Sequence, residues 1–394
     1  MPSSSDKIRV MRIIARLNVG GPARHVVLLN SSLDNSHYQN LLVTGIEGVS
    51  EGSMKDLVET HKLEIEIIPE LGREIALKND LFVLWKLYHL MRRYRPHIVH
   101  THTAKAGLVG RIAAKLAGVP IILHTFHGHV FHGYFSPLKT KLFIILEKFC
   151  AILSDRIITI SDRLKEEIAA YGVAPLDKIE IVPLGFDLSL FAAQKRHSGH
   201  FRTSIGIPSE GKLIAAVGRL VPIKNIPLLL EATAIARQSD PTIYLALIGD
   251  GELRSHLETQ TRELGIAEAV IFTGWQQYLP QIYADLDAVI ISSDNEGTPA
   301  SLIEAMATGC PVIATQVGGV PDLVSQDRGR MVSPRDSQAL AQGILDLWQN
   351  PDKTHSLAVN AREYVLKTYT SQRLIGDIAQ LYEKLLKVKN SKIF

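Results

Sequence analysis

Ala288-Val289-Ile290-Ile291-Ser292-Ser293-Asp294-Asn295-Glu296-Gly297-Thr298-Pro299-Ala300-Ser301-Leu302-Ile303-Glu304-Ala305-Met306-Ala307-Thr308-Gly309-Cys310-Pro311 is the stretch whose reading decides the fold. Residues 288–292 are short, apolar and β-branched, as a strand buried on both faces must be. A polar turn follows, then an apolar helical run that starts near Ala300 and ends at Gly309. Pro311 opens a second apolar run over 311–314. Strand, turn, helix and strand in this order form the repeating unit of a parallel sheet with helices on both faces.

The same rhythm extends in both directions. Upstream, residues 213–220, 243–249 and 270–274 read as strands, with closing helices downstream at 336–348 and 371–388. Earlier still, strands are expected at 8–15, 39–44, 64–68, 97–101, 120–125 and 156–161. Helices are expected at 22–33, 80–94, 104–118 and 137–153. The rhythm lapses over 183–211, where Pro183, Gly185, Gly199, Gly206, Pro208 and Gly211 cluster. The expected organisation is a first domain over 1–190, a linker over 191–210 and a second domain over 211–370. A last helix over 371–394 is expected to pack back on the first domain. The fold class is α/β: two Rossmann-like, doubly wound parallel-sheet domains facing across a cleft. Ligands in such folds sit outside the carboxyl ends of the strands.

Composition narrows the class. The chain has 394 residues, 46% of them apolar, enough for two cores and far from a disordered or collagen-like chain. A net charge of +3 excludes a strongly cationic coat for nucleic acid. Two cysteines, Cys150 and Cys310, make neither a disulfide framework nor a CxxC metal site and fit a reducing compartment. The polar start lacks a signal-peptide core, and the longest apolar stretch, 142–153, is broken by Glu147 and Lys148. A membrane span needs roughly 20 apolar residues. The expectation is a cytoplasmic protein that can still touch a membrane surface.

Candidate site residues lie where strands end. Glu296 and Glu304 flank a helix start whose free N–H groups suit phosphate, so one carboxylate can take sugar hydroxyls and the other ribose hydroxyls. Arg219 closes the strand at 213–220 and Lys224 follows at a helix entrance; the pair is either a phosphate clamp or two surface cations. Gly20 and Gly21 precede a helix at Pro22, as an anion cradle or an ordinary turn. His124, His127, His129 and His132, with His100 and His102 before them, lack any carboxylate or cysteine neighbour. A single histidine contacting sugar or phosphate is favoured over a metal set. Asp285-Leu286-Asp287 matches a metal–sugar pattern but stands where a helix meets a strand, and is expected to be a solvated turn.

Taken in order, these pieces resemble the family 4 retaining glycosyltransferases of the B-type two-Rossmann-domain fold, the type that builds capsule, exopolysaccharide or O-antigen repeats. The pieces are the Gly20-Gly21 loop, Thr125-Phe126-His127-Gly128, Val182-Pro183-Leu184-Gly185-Phe186-Asp187, Gly218-Arg219 with Lys224, Gly249-Asp250-Gly251-Glu252, Glu296-x7-Glu304 and Gly318-Gly319-Val320-Pro321-Asp322. The resemblance implies transfer of a hexose or N-acetylhexosamine from a UDP-sugar with retention of configuration. It implies Arg219, Lys224, Gly20 and Gly21 at the donor diphosphate, Glu296 on the sugar, Glu304 on the ribose and His127 beside the transferred sugar. Donor contacts would also come from Gly274, Gly297, Thr298, Pro299, Ala300, Ser301 and Leu302. It implies no metal and no other cofactor, no nucleic-acid partner, and a glycan or polyprenyl-diphosphate-linked acceptor. Over 134–153, Phe135, Leu138, Leu142, Phe143, Ile145, Leu146 and Phe149, among Lys139, Lys141 and Lys148, would suit a helix lying on an anionic membrane, or simply one packed on a sheet. Two alternatives stay open: a UDP-N-acetylglucosamine 2-epimerase-like enzyme, and a non-catalytic nucleotide-sugar binding protein.

Overall fold

The computed structural model describes residues 7–18, 20–33, 37–47, 54–72, 77–128 and 137–391. The chain divides into two units, 1–186 with 371–394, and 187–370. Residues 129–136, which include His129, His132, Tyr134 and Phe135, lie outside the described residues, as does Val19.

The first unit alternates strand and helix: β1 (Ile8–Ile14), α1 (Gly21–Leu33), β2 (Tyr38–Thr44), α2 (Lys55–Thr60), β3 (Ile65–Ile67), α3 (Leu77–Tyr94), β4 (Ile98–His102), α4 (Ala104–Ala117), β5 (Ile121–Phe126), α5 (Pro137–Leu153), β6 (Arg156–Thr159), α6 (Asp162–Ala170) and β7 (Ile179–Ile181). Its sheet runs in the order β3-β2-β1-β4-β5-β6-β7, with parallel pairings. The order reverses between β1 and β4, which is where a doubly wound sheet leaves its ligand crevice. β4 and β5 are buried along their whole length because helices cover both faces.

The second unit continues with α7 (Ser189–Ala192), α8 (His200–Ser204), β8 (Lys212–Val217), α9 (Ile226–Ser239), β9 (Ile243–Ile248), α10 (Arg254–Glu263), β10 (Val270–Gly274), α11 (Leu279–Asp285), β11 (Ala288–Ile291), α12 (Ala300–Ala307), β12 (Val312–Thr315), α13 (Val320–Leu323), β13 (Arg330–Val332), α14 (Ser337–Gln349) and α15 (Pro351–Thr368). The order is β10-β9-β8-β11-β12-β13, again with parallel pairings and with its reversal between β8 and β11.

The last helix, α16 (Ser371–Asn390), belongs to the first unit. Its Leu374, Ile378, Leu381 and Tyr382 join Val10, Leu29, Ile98 and Ile121 in one apolar cluster. The Tyr382 hydroxyl stands between two strands: it accepts from Arg12 Nη2 at 3.2 Å and lies 2.7 Å from His100 Nδ1.

Two expectations need correction. The segment 191–210 is not a free linker, because it is fastened to the second unit. The Asp285 carboxylate accepts from Ser198 Oγ, Gly199 N and Phe201 N, and Arg202 donates to Asp287 at 2.6 Å. For the same reason Asp285-Leu286-Asp287 is not a solvated turn. Asp285 is fully buried, and Asp287 also takes the Leu213 N–H. The Pro and Gly cluster that signalled a linker marks short helices and their turns instead. The 18-residue helix α15 and the short strands β7 and β13 were not expected from the sequence.

Helix α5 has apolar residues on both its inner and its outer side. Its inward face carries Glu147, paired at 2.6 Å with the fully buried Arg111 of α4. Its outward face carries Leu138, Leu142, Ile145, Phe149 and Ile152, all exposed, from 50% at Phe149 to 81% at Leu138. The spacing of four and three residues puts these side chains on one stripe. Phe143 and Leu146, expected on the same face, point the other way and line an inner pocket with Leu108 and Cys150.

Candidate active site

In the second unit the site forms at the carboxyl ends of β8 and β11. The turn after β8 carries Gly218 and Arg219, and Lys224 ends a short 3-10 turn, 222–224, that leads into α9. Arg219 is exposed and makes no side-chain hydrogen bond or ion pair among the described residues. Lys224 Nζ donates to Glu296 Oε1 at 2.6 Å, and Ser293 Oγ donates to the same oxygen at 2.6 Å. A carboxylate held by two donors has its geometry fixed before any ligand arrives. The peptide bearing it is clamped too: Gly319 N donates to Glu296 O at 2.9 Å. A Cβ on Gly318, whose φ is +50°, would fall 1.8 Å from that same carbonyl, so only glycine fits there. Thus Gly318-Gly319 and Glu296-Gly297 are two parts of one loop pair.

Residues 297–301 lead into α12. Leu302 N and Ile303 N return to Pro299 O, whereas the N–H groups of Gly297, Thr298, Ala300 and Ser301 have no backbone partner among the described residues. They form an anion-ready helix start of the kind that holds phosphate. Glu304 lies in this helix and is only 7% exposed; its Oε2 accepts from the buried Tyr283 hydroxyl at 3.0 Å. Gly274, at the end of β10, gives its carbonyl to Gly249 N at 2.9 Å, joining the loops after β9 and β10. The fold therefore gathers Arg219, Lys224, Glu296, Glu304 and the free N–H groups within one unit, at one edge of one sheet.

In the first unit, Gly20 and Gly21 stand at the start of α1; a Cβ on Gly21 would meet nothing within 4 Å. His127 follows β5 directly, and His102 ends β4. The two rings meet, His102 Nδ1 to His127 Nε2, at 3.1 Å. Burial holds His127 down to about 4, so its imidazole is neutral at physiological pH. Burial, assisted by neighbouring histidines and Arg12, keeps His25, His100 and His102 well below the ordinary histidine value. His124 is not a site residue: its Nδ1 lies 2.9 Å from Thr101 Oγ1 inside the sheet. Among the described residues the structure sets His124 apart from the expected histidine group and brings in another ring. The third ring beside His102 and His127 is His25, from α1. Nothing local in the sequence marks His25, because only the β1–α1 turn and the adjacency of β1 to β4 bring it there.

Two parallel-sheet units, each with its polar groups at the carboxyl edge, are the layout of sugar-transferring enzymes with two Rossmann-like domains. Residues 19–190 match the family described as Glycosyltransferase Family 4, and residues 199–364 match glycosyl transferases group 1. A UDP-Gal:alpha-D-GlcNAc-diphosphoundecaprenol alpha-1,3-galactosyltransferase of Escherichia coli is 28% identical over 388 residues, 97% of this chain and 98% of its own. A D-inositol 3-phosphate glycosyltransferase of Actinosynnema mirum is 30% identical over 67% of each chain. Among solved structures, Anabaena HepE in complex with UDP superposes with a TM-score of 0.81 at 22% identity, over 95% of this chain and 100% of that one. The chain belongs to the family 4 glycosyltransferases, enzymes that transfer sugar from a nucleotide donor.

Proposed function

We propose that the enzyme moves a hexose or N-acetylhexosamine from a UDP-sugar, with retention of anomeric configuration, to a glycan or polyprenyl-diphosphate-linked acceptor in cell-surface polysaccharide synthesis. The observation that carries this reading is the Lys224–Glu296–Ser293 arrangement beside exposed Arg219 and the free N–H groups of 297–301. Arg219 and Lys224 neutralise the departing diphosphate, with Gly20 and Gly21 as backbone donors to the same group. Glu296 holds sugar hydroxyls, Glu304 holds the ribose, and Gly274 and 297–302 border the nucleotide. His127, neutral at pH 7, offers a hydrogen bond to the transferred sugar without adding charge. The acceptor hydroxyl attacks the anomeric carbon from the face the diphosphate is leaving, and its proton passes to the leaving phosphate oxygen. Two side-chain cations supply the charge stabilisation that a divalent ion supplies in other transferases, so this step needs no metal.

The lipid-linked acceptor of the Escherichia coli relative supports an acceptor of that kind here, reached by the first unit. The exposed stripe on α5, with exposed Lys139, Lys141 and Lys148 beside it, supports peripheral attachment to the inner face of the cytoplasmic membrane. No helix of the described residues is long and apolar enough to cross a membrane. Equilibrium titration with UDP, GDP and ADP tests the donor, with UDP expected to bind tightest. Tighter GDP binding would overturn the UDP assignment. Incubating the UDP-sugar with enzyme alone excludes epimerisation when the sugar is recovered unchanged.

A further inference from the structure

We propose that His25, His102 and His127 bind one late first-row transition-metal ion, with zinc the natural candidate. The three rings come from three elements of the first unit: the first turns of α1, the end of β4 and the residue after β5. One nitrogen from each ring lies within 4.8 Å of those of the other two. The closest pair, His102 Nδ1 and His127 Nε2 at 3.1 Å, already has the spacing of two ligands on one ion. The ring centroids of His25 and His127 are 4.8 Å apart, and those of His25 and His102 are 5.7 Å apart.

A second observation is independent of this clustering. Both nitrogens of His25, Nε2 of His102 and Nδ1 of His127 are buried without a hydrogen-bond partner among the described residues. His25 is 4% exposed and His102 is fully buried. His25 is the ring that matters here: it is buried and neither of its nitrogens has a partner among the described residues, and an ion would take one of them.

Ligation needs no net proton release. Of the two facing nitrogens, one carries the hydrogen; on ligation that hydrogen moves to the same ring's other nitrogen, which has no partner. Three neutral imidazoles then face the metal. His127 is partly exposed, which leaves a side open for water or hydroxide as a fourth ligand.

The donor set selects the ion. It holds three nitrogens and no carboxylate, which suits zinc, copper, nickel or cobalt rather than magnesium or calcium. Buried Arg12 lies near enough to His25 to oppose a second cation. The ion would claim the lone pair of His127, so binding there competes with any contact His127 makes to a sugar. The site is inferred from the first unit alone and stands whether or not the donor assignment holds.

The test is direct metal binding to the full chain, freed of metal and carrying no histidine tag. Cobalt(II) titration should give ligand-field absorption that saturates at one ion per chain and is displaced by zinc. Zinc should raise the melting temperature, whereas magnesium and calcium should not. His25→Leu fills the same space without orphaned nitrogens and should fold yet lose affinity at least about tenfold, as should His102→Leu. Absence of the cobalt absorption in the wild-type chain would overturn the proposal. So would unchanged affinity and stoichiometry in either folded variant.

Discussion

In the proposed mechanism Lys224 and Arg219 divide the work at the diphosphate, and their surroundings predict different phenotypes. Arg219 is exposed and unpaired among the described residues, so Arg219→Ala should leave the melting temperature unchanged while turnover falls by a factor of roughly 10²–10³. Lys224→Ala should lose turnover similarly and also free Glu296 from its cation. Near-normal turnover in either variant, with donor binding intact, would remove that residue from the mechanism. Buried histidines set a pH limit on the fold. His25, His100, His102, His124 and His127 are held below the ordinary value, so the unfolded chain binds more protons than the native one as pH drops below about 6.5. Stability is therefore full above that pH and falls towards pH 4, by up to about 1.4 kcal/mol per pH unit for each histidine that stays neutral. Metal-free protein should melt markedly lower at pH 5.5 than at pH 7.5. An equal melting temperature would mean the histidines titrate normally. At this scale the sequence is legible where a residue follows a strand locally: Glu296, Lys224 and Arg219 could each be placed from their immediate neighbours. His25 and Tyr382 could not, because their partners lie on strands distant in sequence.

Among the elements, α5 has the sharpest consequences. A helix that buries an ion pair and exposes a stripe of leucine, isoleucine and phenylalanine is costly in water unless another surface covers the stripe. The protein should sediment with anionic vesicles at low salt and be released at high salt. Replacing Lys139, Lys141 and Lys148 together with Glu should abolish sedimentation; undiminished binding would reduce the stripe to an uncovered helix face. Glu147→Ala acts on the opposite face. It leaves Arg111 buried without its carboxylate and should cost about 3–5 kcal/mol, read as a fall in the denaturation midpoint. Helix and strand positions were largely legible because apolar period and Gly or Pro stops agree along most of the chain. They disagreed at 191–210, where the stabilising contacts come from Asp285 and Asp287, more than 80 residues away in sequence. Helix α15 was missed because its exposed face is polar and only Ala358, Ala361 and Val365 are buried.

For the whole molecule, the two-unit α/β plan followed from the repeated strand–helix rhythm, but the border did not. The chain enters the second unit at 187 and leaves it at 370, so that unit is an insertion into the first. Transfer activity should survive EDTA, since in the proposed mechanism the cations at the diphosphate are side chains. Loss on chelation with recovery on adding manganese would place a metal in the reaction. A chain ended after 370 should lose cooperative unfolding of the first unit, because Leu374, Ile378 and Tyr382 complete that unit's core. The same topology dictates an order of events during translation. Every strand of the first sheet is made before the inserted unit, but the helix that covers Val10, Ile98 and Ile121 is made only after it. The inserted unit can fold while the first one waits, its half-covered sheet the natural client of a chaperone until the final turns of α16 arrive.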